Sequence, residues 1–185
     1  MSGEHDPNIM NRINAVKKEY YEEKPKNLLF KKQQKFDCAD SVTKNIDINT
    51  ILPFIFKADG DIIFFNYNVF KIIASPAVYL TMANYLFTVT EQIIGTYSCY
   101  NLNVDLTGLT MSAIERYREF LVIVSGEGLR NGKGLLRHLK FIHVHNPPSF
   151  VEYLCSIVIP IVDPSIKDRF VIYFKNGNIV KYEAK

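Results

Sequence analysis

Apolar residues in the last third of the chain change from a strand-like pattern to a helix-like pattern and back. Residues 141–145 form a short β-branched and aromatic run, which Asn146-Pro147-Pro148 ends because proline has no N–H to donate to a sheet. A helix is predicted over residues 150–162, and Asp163-Pro164 stops it because the residue before a proline disfavours the α conformation. Residues 170–174 have the composition of the next strand.

The predicted helix over residues 150–162 is apolar on more than one face. One stripe has helical spacing and contains Phe150, Leu154, Ile157, Val158 and Ile161, and a second stripe beside it contains Val151, Cys155, Ile159 and Val162. Such a helix has no wide face for water. Either it is a core helix covered on both sides, or its second face contacts a lipid or a partner, because large exposed apolar patches on soluble monomers usually bind something.

The first 47 residues are predicted to form an amphipathic helix and a linker. Asp6-Pro7 is a helix start, and Pro25 ends that helix. The apolar face of the helix contains Ile9, Ile13, Val16 and Tyr20, and it either packs on the rest of the protein or binds a membrane surface or a partner. Residues 24–45 are polar and rich in lysine, which indicates a basic linker with at most one short helix at residues 28–30.

Residues 48–185 alternate between strands and long helices. In the middle of this region the pattern predicts a turn over residues 57–60. It also predicts strands over residues 61–67 and 98–105 and helices over residues 77–94 and 112–126. The first strand has the composition of a buried strand in a parallel sheet, and Gly95 and Gly126 are expected to close the helices. The alternation predicts an α/β fold with a mostly parallel sheet and crossover helices, and Asn176-Gly177 adds a C-terminal β-hairpin.

Two motifs in this region resemble the CRAL-TRIO (Sec14-like) lipid-binding domain, over residues 50–174. In the first, Val104-Asp105-Leu106-Thr107-Gly108-Leu109, an aspartate and a small-residue turn end a strand, and Asp105 is expected to brace that turn. The second consists of the prolines and aromatic residue around the apolar helix, namely Asn146-Pro147-Pro148, Phe150, Pro160 and Asp163-Pro164. The resemblance implies a CRAL-TRIO/Sec14-like fold in which the helix over residues 150–162 gates a buried pocket for one lipid. The region ahead of residue 50 is much shorter than the three helices typical of the family.

The resemblance implies two groups of binding residues. Acyl chains would contact Phe150, Val151, Leu154, Val158 and Ile161 of the gate helix. In members that carry phosphoinositides, an acidic and a basic residue contact the headgroup; Arg137 and Arg169 match those positions, so the acid is replaced here. The chain also carries Arg130, Lys133, Arg137 and Lys140 within eleven residues without an acid between them. That run indicates either a loop that binds an anion or a membrane, or a solvated loop.

Other candidate chemistry is weaker. Lys133 lies among glycines but lacks the Walker A spacing, so a flexible surface loop is predicted rather than a phosphate-binding loop. His143 and His145 point to the same face of the predicted strand without a third metal ligand, and they are expected to form hydrogen bonds at the sheet edge or to line a pocket. The three cysteines have no metal-ligand spacing. Neither a metal site nor an enzyme activity is predicted.

Charge and hydropathy restrict the partners. The net charge of +3 comes from residues 1–35, which is too weak a field to indicate nucleic-acid binding. The odd number of cysteines, the lack of a signal-peptide pattern and the lack of an apolar stretch of about 18 residues predict a cytoplasmic protein with peripheral membrane association. No cofactor is expected apart from a bound phospholipid or other hydrophobic ligand.

The expected function is non-enzymatic lipid binding or lipid transfer, with one lipid held between the sheet and the gate helix at membrane surfaces. The alternative is a divergent Sec14-like protein-interaction scaffold, similar to the BCH domain, which binds a small GTPase or associates with itself as a homodimer. A closed and fully packed interior would favour the scaffold, whereas an internal pocket would favour the lipid.

Overall fold

The computed structural model describes residues 7–27, 29–130, 134–162, 164–174 and 177–181. The predictions that involve Asp6, Leu28, Lys133, Asp163 and Asn176 therefore fall on residues outside these ranges. The described residues form seven α-helices, α1 Pro7–Glu23, α2 Lys31–Asn45, α3 Ile48–Ile55, α4 Tyr67–Ile73, α5 Tyr79–Tyr97, α6 Met111–Arg130 and α7 Val151–Val162. They also form six strands, β1 Phe56–Asp59, β2 Ile62–Asn66, β3 Tyr100–Asp105, β4 Leu139–His145, β5 Phe170–Tyr173 and β6 Ile179–Lys181. Leu135–His138 and Pro164–Arg169 are 3-10 helices. No helix in these ranges is long and apolar enough to cross a membrane.

The strands form one mixed sheet in the order β1-β2-β3-β4-β5-β6. The four central strands run parallel, and β1 and β6 pair antiparallel at the two edges. Crossovers between parallel strands are right-handed, so a sheet built in chain order receives its crossover helices on a single face. The predicted α/β fold with a mostly parallel sheet is confirmed. The C-terminal hairpin is confirmed too, and in it the N–H of Phe174 donates to the carbonyl of Asn178 at 2.9 Å.

Strand β2 shows the effect of covering only one face of the sheet. Ile63 lies under the helices and is 0% exposed, whereas the next residue, Phe64, points to the other face and is 38% exposed. The prediction of a buried strand is therefore right for one face and wrong for the other. The apolar run itself does not distinguish the two cases, because the arrangement of the helices decides which face is covered.

Helices α1 and α2 pack against each other and belong to the hydrophobic core. Ile9 and Ile13 are buried, so the apolar face of α1 packs on the protein. The linker predicted over residues 24–45 is wrong for most of its length, because α2 is a helix with Phe36, Cys38, Ala39 and Val42 buried. α2 is polar overall, and the pattern of its few apolar residues is too sparse to reveal a helix. Burial of those residues against α1 and α4 stabilises it.

The two glycines expected to close helices lie inside them. α5 continues through Gly95 and ends at Tyr97, and the residue that follows it, Ser98, has a φ of 63°. α6 continues through Gly126 to Arg130. Glycine costs about 1 kcal/mol relative to alanine in a helix interior, which tertiary packing easily outweighs. The turn predicted over residues 57–60 is also shorter than expected, since β1 extends to Asp59 and Gly60, with φ 58°, makes the turn.

Candidate functional site

A cavity of about 300 Å³ lies between the covered face of the sheet and the helices. The sheet contributes alternate residues of its central strands, namely Ile63, Phe65, Leu102, Val104, Ile142, Val144 and Phe170. The helical side of the cavity is formed by α4, α5, α6 and α7. No Lys, Arg, Asp or Glu lines the cavity within the described part of the chain. The site is therefore suited to an apolar molecule and offers no charged group for catalysis.

Helix α7 closes one side of the cavity. It begins at Val151, where the N–H of Val151 donates to the carbonyl of Pro148 at 3.0 Å, and it ends at Val162 as predicted. Three of the five residues predicted to contact acyl chains line the cavity, namely Val151, Leu154 and Val158. Phe150 precedes the helix and is half-buried outside the cavity lining. The side chain of Ile161 lies outside the described part of the chain.

The polar groups at the cavity wall are neutral near pH 7. Burial raises the pKa of Tyr67 to about 12, and burial followed by the charge of Glu152 raises the pKa of Cys155 to about 11. Two hydroxyls are held by backbone carbonyls, since Thr90 Oγ1 donates to Leu86 at 2.7 Å and Tyr117 Oη donates to Lys71 at 3.2 Å. The wall thus has few free polar groups that would favour water over an apolar ligand.

The volume of the cavity limits its ligand. Small-molecule pockets usually measure about 300–1,000 Å³, so this one lies at the lower end of the range. At roughly 30 Å³ for each water-sized group, about 300 Å³ holds on the order of ten heavy atoms. One short chain fits that space, whereas a lipid with two long chains exceeds it.

The predicted headgroup residues do not line the cavity. Arg137 and Lys140 are exposed, on a 3-10 helix and on β4. Arg169 Nη1 donates to the carbonyls of Leu136 and Leu139 at 2.5 and 2.6 Å, and both leucines line the cavity. Arg169 therefore braces the cavity wall. Lys133 and the side chain of Arg130 lie outside the described residues, and Arg130 itself belongs to helix α6 rather than to a loop.

The histidines lie on the open face of the sheet, away from the cavity. His143 Nδ1 is 2.9 Å from Tyr173 Oη, and the His145 ring stacks on Tyr173 with centroids 4.7 Å apart. Burial and then the charge of His145 lower the pKa of His143. The predicted hydrogen bond is found for His143, whereas His145 stacks on Tyr173 instead, and β4 is an inner strand rather than an edge of the sheet. Within the residues that the structure describes, no three His, Cys, Asp or Glu side chains are placed to hold a metal.

Arg116 is a buried charge that the sequence analysis missed. It lies on α6 and is 8% exposed, its Nη1 donates to Tyr117 Oη at 3.3 Å, and its Cζ lies 5.3 Å from the Tyr117 ring centroid. Its Nε is buried without a hydrogen-bond partner, and no carboxylate in the described ranges lies within 4.0 Å of the guanidinium. A cation–π contact contributes about 0.5–2 kcal/mol, whereas desolvating an ion costs several kcal/mol. Tyr117 alone does not offset the burial of this charge.

The charge of Arg116 acts on several phenols and on one lysine. Its charge lowers the pKa of Tyr21, Tyr67 and Tyr79 against the larger, opposite effect of their burial. Burial, followed by the charges of Arg116, Lys17 and Lys31, lowers the pKa of Lys35. The sequence carries one signal that Arg116 borders the buried face of α6, since Arg116 directly precedes Tyr117, which belongs to the apolar face of that helix.

No protein-family model matches the chain, and no curated protein matches it either.

Proposed function

We propose that this protein is a non-enzymatic lipid-binding module of the Sec14-like (CRAL-TRIO) type, which holds one lipid between the sheet and α7 and acts at membrane surfaces. The observation that carries the proposal is the apolar cavity under α7, with Val151, Leu154 and Val158 in its wall. Burying apolar surface contributes about 0.8 kcal/mol for each methylene removed from water. A chain of about ten carbons would therefore gain enough to bind without any charged contact in the cavity.

The strand ends agree with the motifs that suggested the family. Asp105 Oδ1 accepts from the N–H of Thr107 at 2.9 Å and from its hydroxyl at 2.7 Å, as a turn-bracing aspartate does. The exposed Arg137 and Lys140 remain candidates for contact with a headgroup or an anionic membrane, together with Arg130, Lys133 and Arg169. The size of the cavity favours a single-chain lipid over a phospholipid as the resident molecule.

A second candidate function, a protein-interaction scaffold, is favoured by the open face of the sheet. Phe64 and Phe141 are 38% and 40% exposed there. Exposed aromatic residues on an uncovered sheet are suited to contact with another protein, such as a small GTPase or a second copy of the chain.

Native mass spectrometry of the purified protein, followed by organic extraction, tests the lipid proposal first. A bound lipid in one-to-one ratio is expected, with a single chain. A clean apo mass, together with no uptake from added vesicles of fatty acid and phosphatidylcholine, would contradict lipid binding. A dimer in the same spectrum would move the proposal to the scaffold.

A matched pair of variants on α7 locates the binding site. Leu154 lines the cavity, whereas its neighbour Tyr153 is 54% exposed on the same helix. Leu154→Asp is expected to reduce fatty-acid uptake by about tenfold or more, because it places a charge against an apolar chain. Tyr153→Asp is expected to bind as the wild type does. Equal uptake by both variants would place the lipid elsewhere.

A further inference from the structure

Tyr100 brings a hydroxyl to the otherwise apolar sheet side of the cavity. It is the first residue of β3, and Leu102 and Val104 lie on the same face because side chains alternate along a strand. All three residues line the cavity. Tyr100 is 7% exposed, and burial raises the pKa of its phenol. The hydroxyl is therefore protonated at neutral pH and can donate a hydrogen bond.

The Tyr100 hydroxyl has no hydrogen-bond partner among the residues that the structure describes. In the same wall, the hydroxyls of Thr90 and Tyr117 already donate to backbone carbonyls. Within those residues, the side-chain atoms sealed from free space without a partner are Asn103 Oδ1 and Arg116 Nε, so the Tyr100 oxygen still borders free space. Because this side chain lines the cavity and is otherwise buried, that space is the cavity. An unpaired hydroxyl among apolar groups is costly, and a ligand oxygen removes the cost.

Tyr67 is the other wall tyrosine whose hydroxyl has no partner in the described ranges, but its surroundings differ. Tyr67 begins α4 directly after the carboxyl end of β2, whereas Tyr100 lies at the amino end of the parallel strand β3. Lys71 Nζ lies 5.4 Å from the Tyr67 ring centroid, and Lys71 is exposed. Tyr67 therefore borders a solvated cation at one end of the cavity, and Tyr100 is the isolated donor at the other.

A positive charge stands behind the wall beside Tyr100. Leu139 pairs with Tyr100 in the sheet, and the carbonyl of Leu139 accepts from Arg169 Nη1 at 2.6 Å. The charge of Arg169 favours a ligand group that accepts a hydrogen bond over an amine. Arg169 does not line the cavity, so it offers no ion pair to a carboxylate inside it. A carboxylate buried without a paired cation is costly, whereas a neutral oxygen needs only one donor.

We propose that the cavity binds a single-chain molecule that ends in a neutral oxygen, an alcohol or a carbonyl, and that Tyr100 donates a hydrogen bond to this oxygen. The inference rests on the proposed lipid-binding function and adds the chemical class and the orientation of the ligand. From Tyr100 the chain runs along β3 and under α7 toward Val104. At about 3.3 Å for each residue these two positions are roughly 13 Å apart, which is compatible with the roughly ten heavy atoms that the volume allows.

NMR titrations of the whole protein with octanol, octanoate and octane test the class of ligand. Octanol is expected to bind about tenfold or more tightly than octanoate, because only octanoate brings a charge into the cavity. In the octanol complex, the methylene next to the oxygen is expected to give nuclear Overhauser contacts with the Tyr100 ring. These contacts report the orientation of the chain directly.

Tyr100→Phe removes the hydroxyl alone. It is expected to weaken octanol binding by about three- to tenfold, the effect of one hydrogen bond, and to leave octane binding within about twofold of the wild type. The matched control is Thr90→Val, because the wall hydroxyl of Thr90 already donates to the Leu86 carbonyl. This control is expected to bind octanol within about twofold of the wild type. Since Tyr100→Phe removes an unpaired hydroxyl, its Tm without ligand is expected to be equal to that of the wild type or higher.

Three outcomes overturn this inference and leave the lipid-binding function in place. They are equal octanol binding by the wild type and Tyr100→Phe, tighter binding of octanoate than of octanol, and a loss of octanol binding in Tyr67→Phe but not in Tyr100→Phe. In each case a chain still binds in the cavity. Failure of octanol, octanoate and octane alike to bind the wild type would instead contradict the lipid-binding function itself, and the inference with it.

Discussion

Asn146 donates from its side-chain amide to Asp105 Oδ1 at 3.1 Å, which joins the carboxyl ends of β4 and β3. The two residues are 41 positions apart in the chain. Asp105 also holds Thr107 in the following turn, and the left-handed φ of 50° at Asn146 directs the chain away from the sheet toward α7. One carboxylate therefore connects the two turns that flank the cavity at this end of the sheet.

The ionisation of Asp105 makes stability depend on pH. Its burial opposes ionisation, but hydrogen bonds from Thr107 and then Asn146 outweigh it, so the pKa of Asp105 lies below its usual value. A lowered carboxyl pKa contributes stability that is fully present above the unfolded pKa of about 4 and is lost as the pH falls through the folded pKa. Asp105→Asn is expected to lose less stability than the wild type on acidification below about pH 4.

Urea denaturation between pH 2 and pH 6 measures this effect. Asn146→Gly is the companion variant, since it removes the donor and keeps the left-handed conformation, and at pH 7 it is expected to lower the free energy of unfolding by about 0.5–1 kcal/mol. Parallel pH curves for Asp105→Asn and the wild type would show that the carboxylate has no special role.

Ser98→Gly is expected to stabilise the protein. Ser98 is exposed and follows the last residue of α5 with φ 63°, a conformation that glycine adopts without steric cost. The gain in the free energy of unfolding is expected to be about 0.5–1 kcal/mol. The control is Ser112→Gly, an exposed position inside α6 that is expected to lose about 0.5 kcal/mol. Chemical denaturation compares the two, and a loss of stability in Ser98→Gly would contradict the role of the left-handed conformation.

Ile13→Ala tests whether α1 is part of the fold. Ile13 is 0% exposed and belongs to the hydrophobic core, so the variant is expected to lower the free energy of unfolding by about 2–5 kcal/mol. Asn14→Ala changes an exposed neighbour on the same helix and is expected to stay within about 0.5 kcal/mol of the wild type. Equal stability of the two variants would mean that α1 does not pack on the protein in solution.

The candidate site was predictable where local chemistry decides the structure. The prolines on either side of residues 151–162 locate α7, and three of the five lipid-contact residues that the family resemblance implied, Val151, Leu154 and Val158, line the cavity. The role of Asp105 was predictable too, because an aspartate at a strand end bonds to the backbone two residues later. Arg169 was selected as a headgroup contact, but its bonds to Leu136 and Leu139 depend on a fold that brings together residues about 30 positions apart.

The sequence by itself determined the alternation of the parallel strands with α5, α6 and α7 and the ends of α7, because proline geometry and helical periodicity act within a few residues of the chain, but it did not reveal α4. Only the tertiary structure decided that polar α2 is a helix, that Phe64 faces outward and that Arg116 is buried. Each of these results depends on which distant segment covers a residue. Burial is a property of the packed chain, so no local pattern contains it.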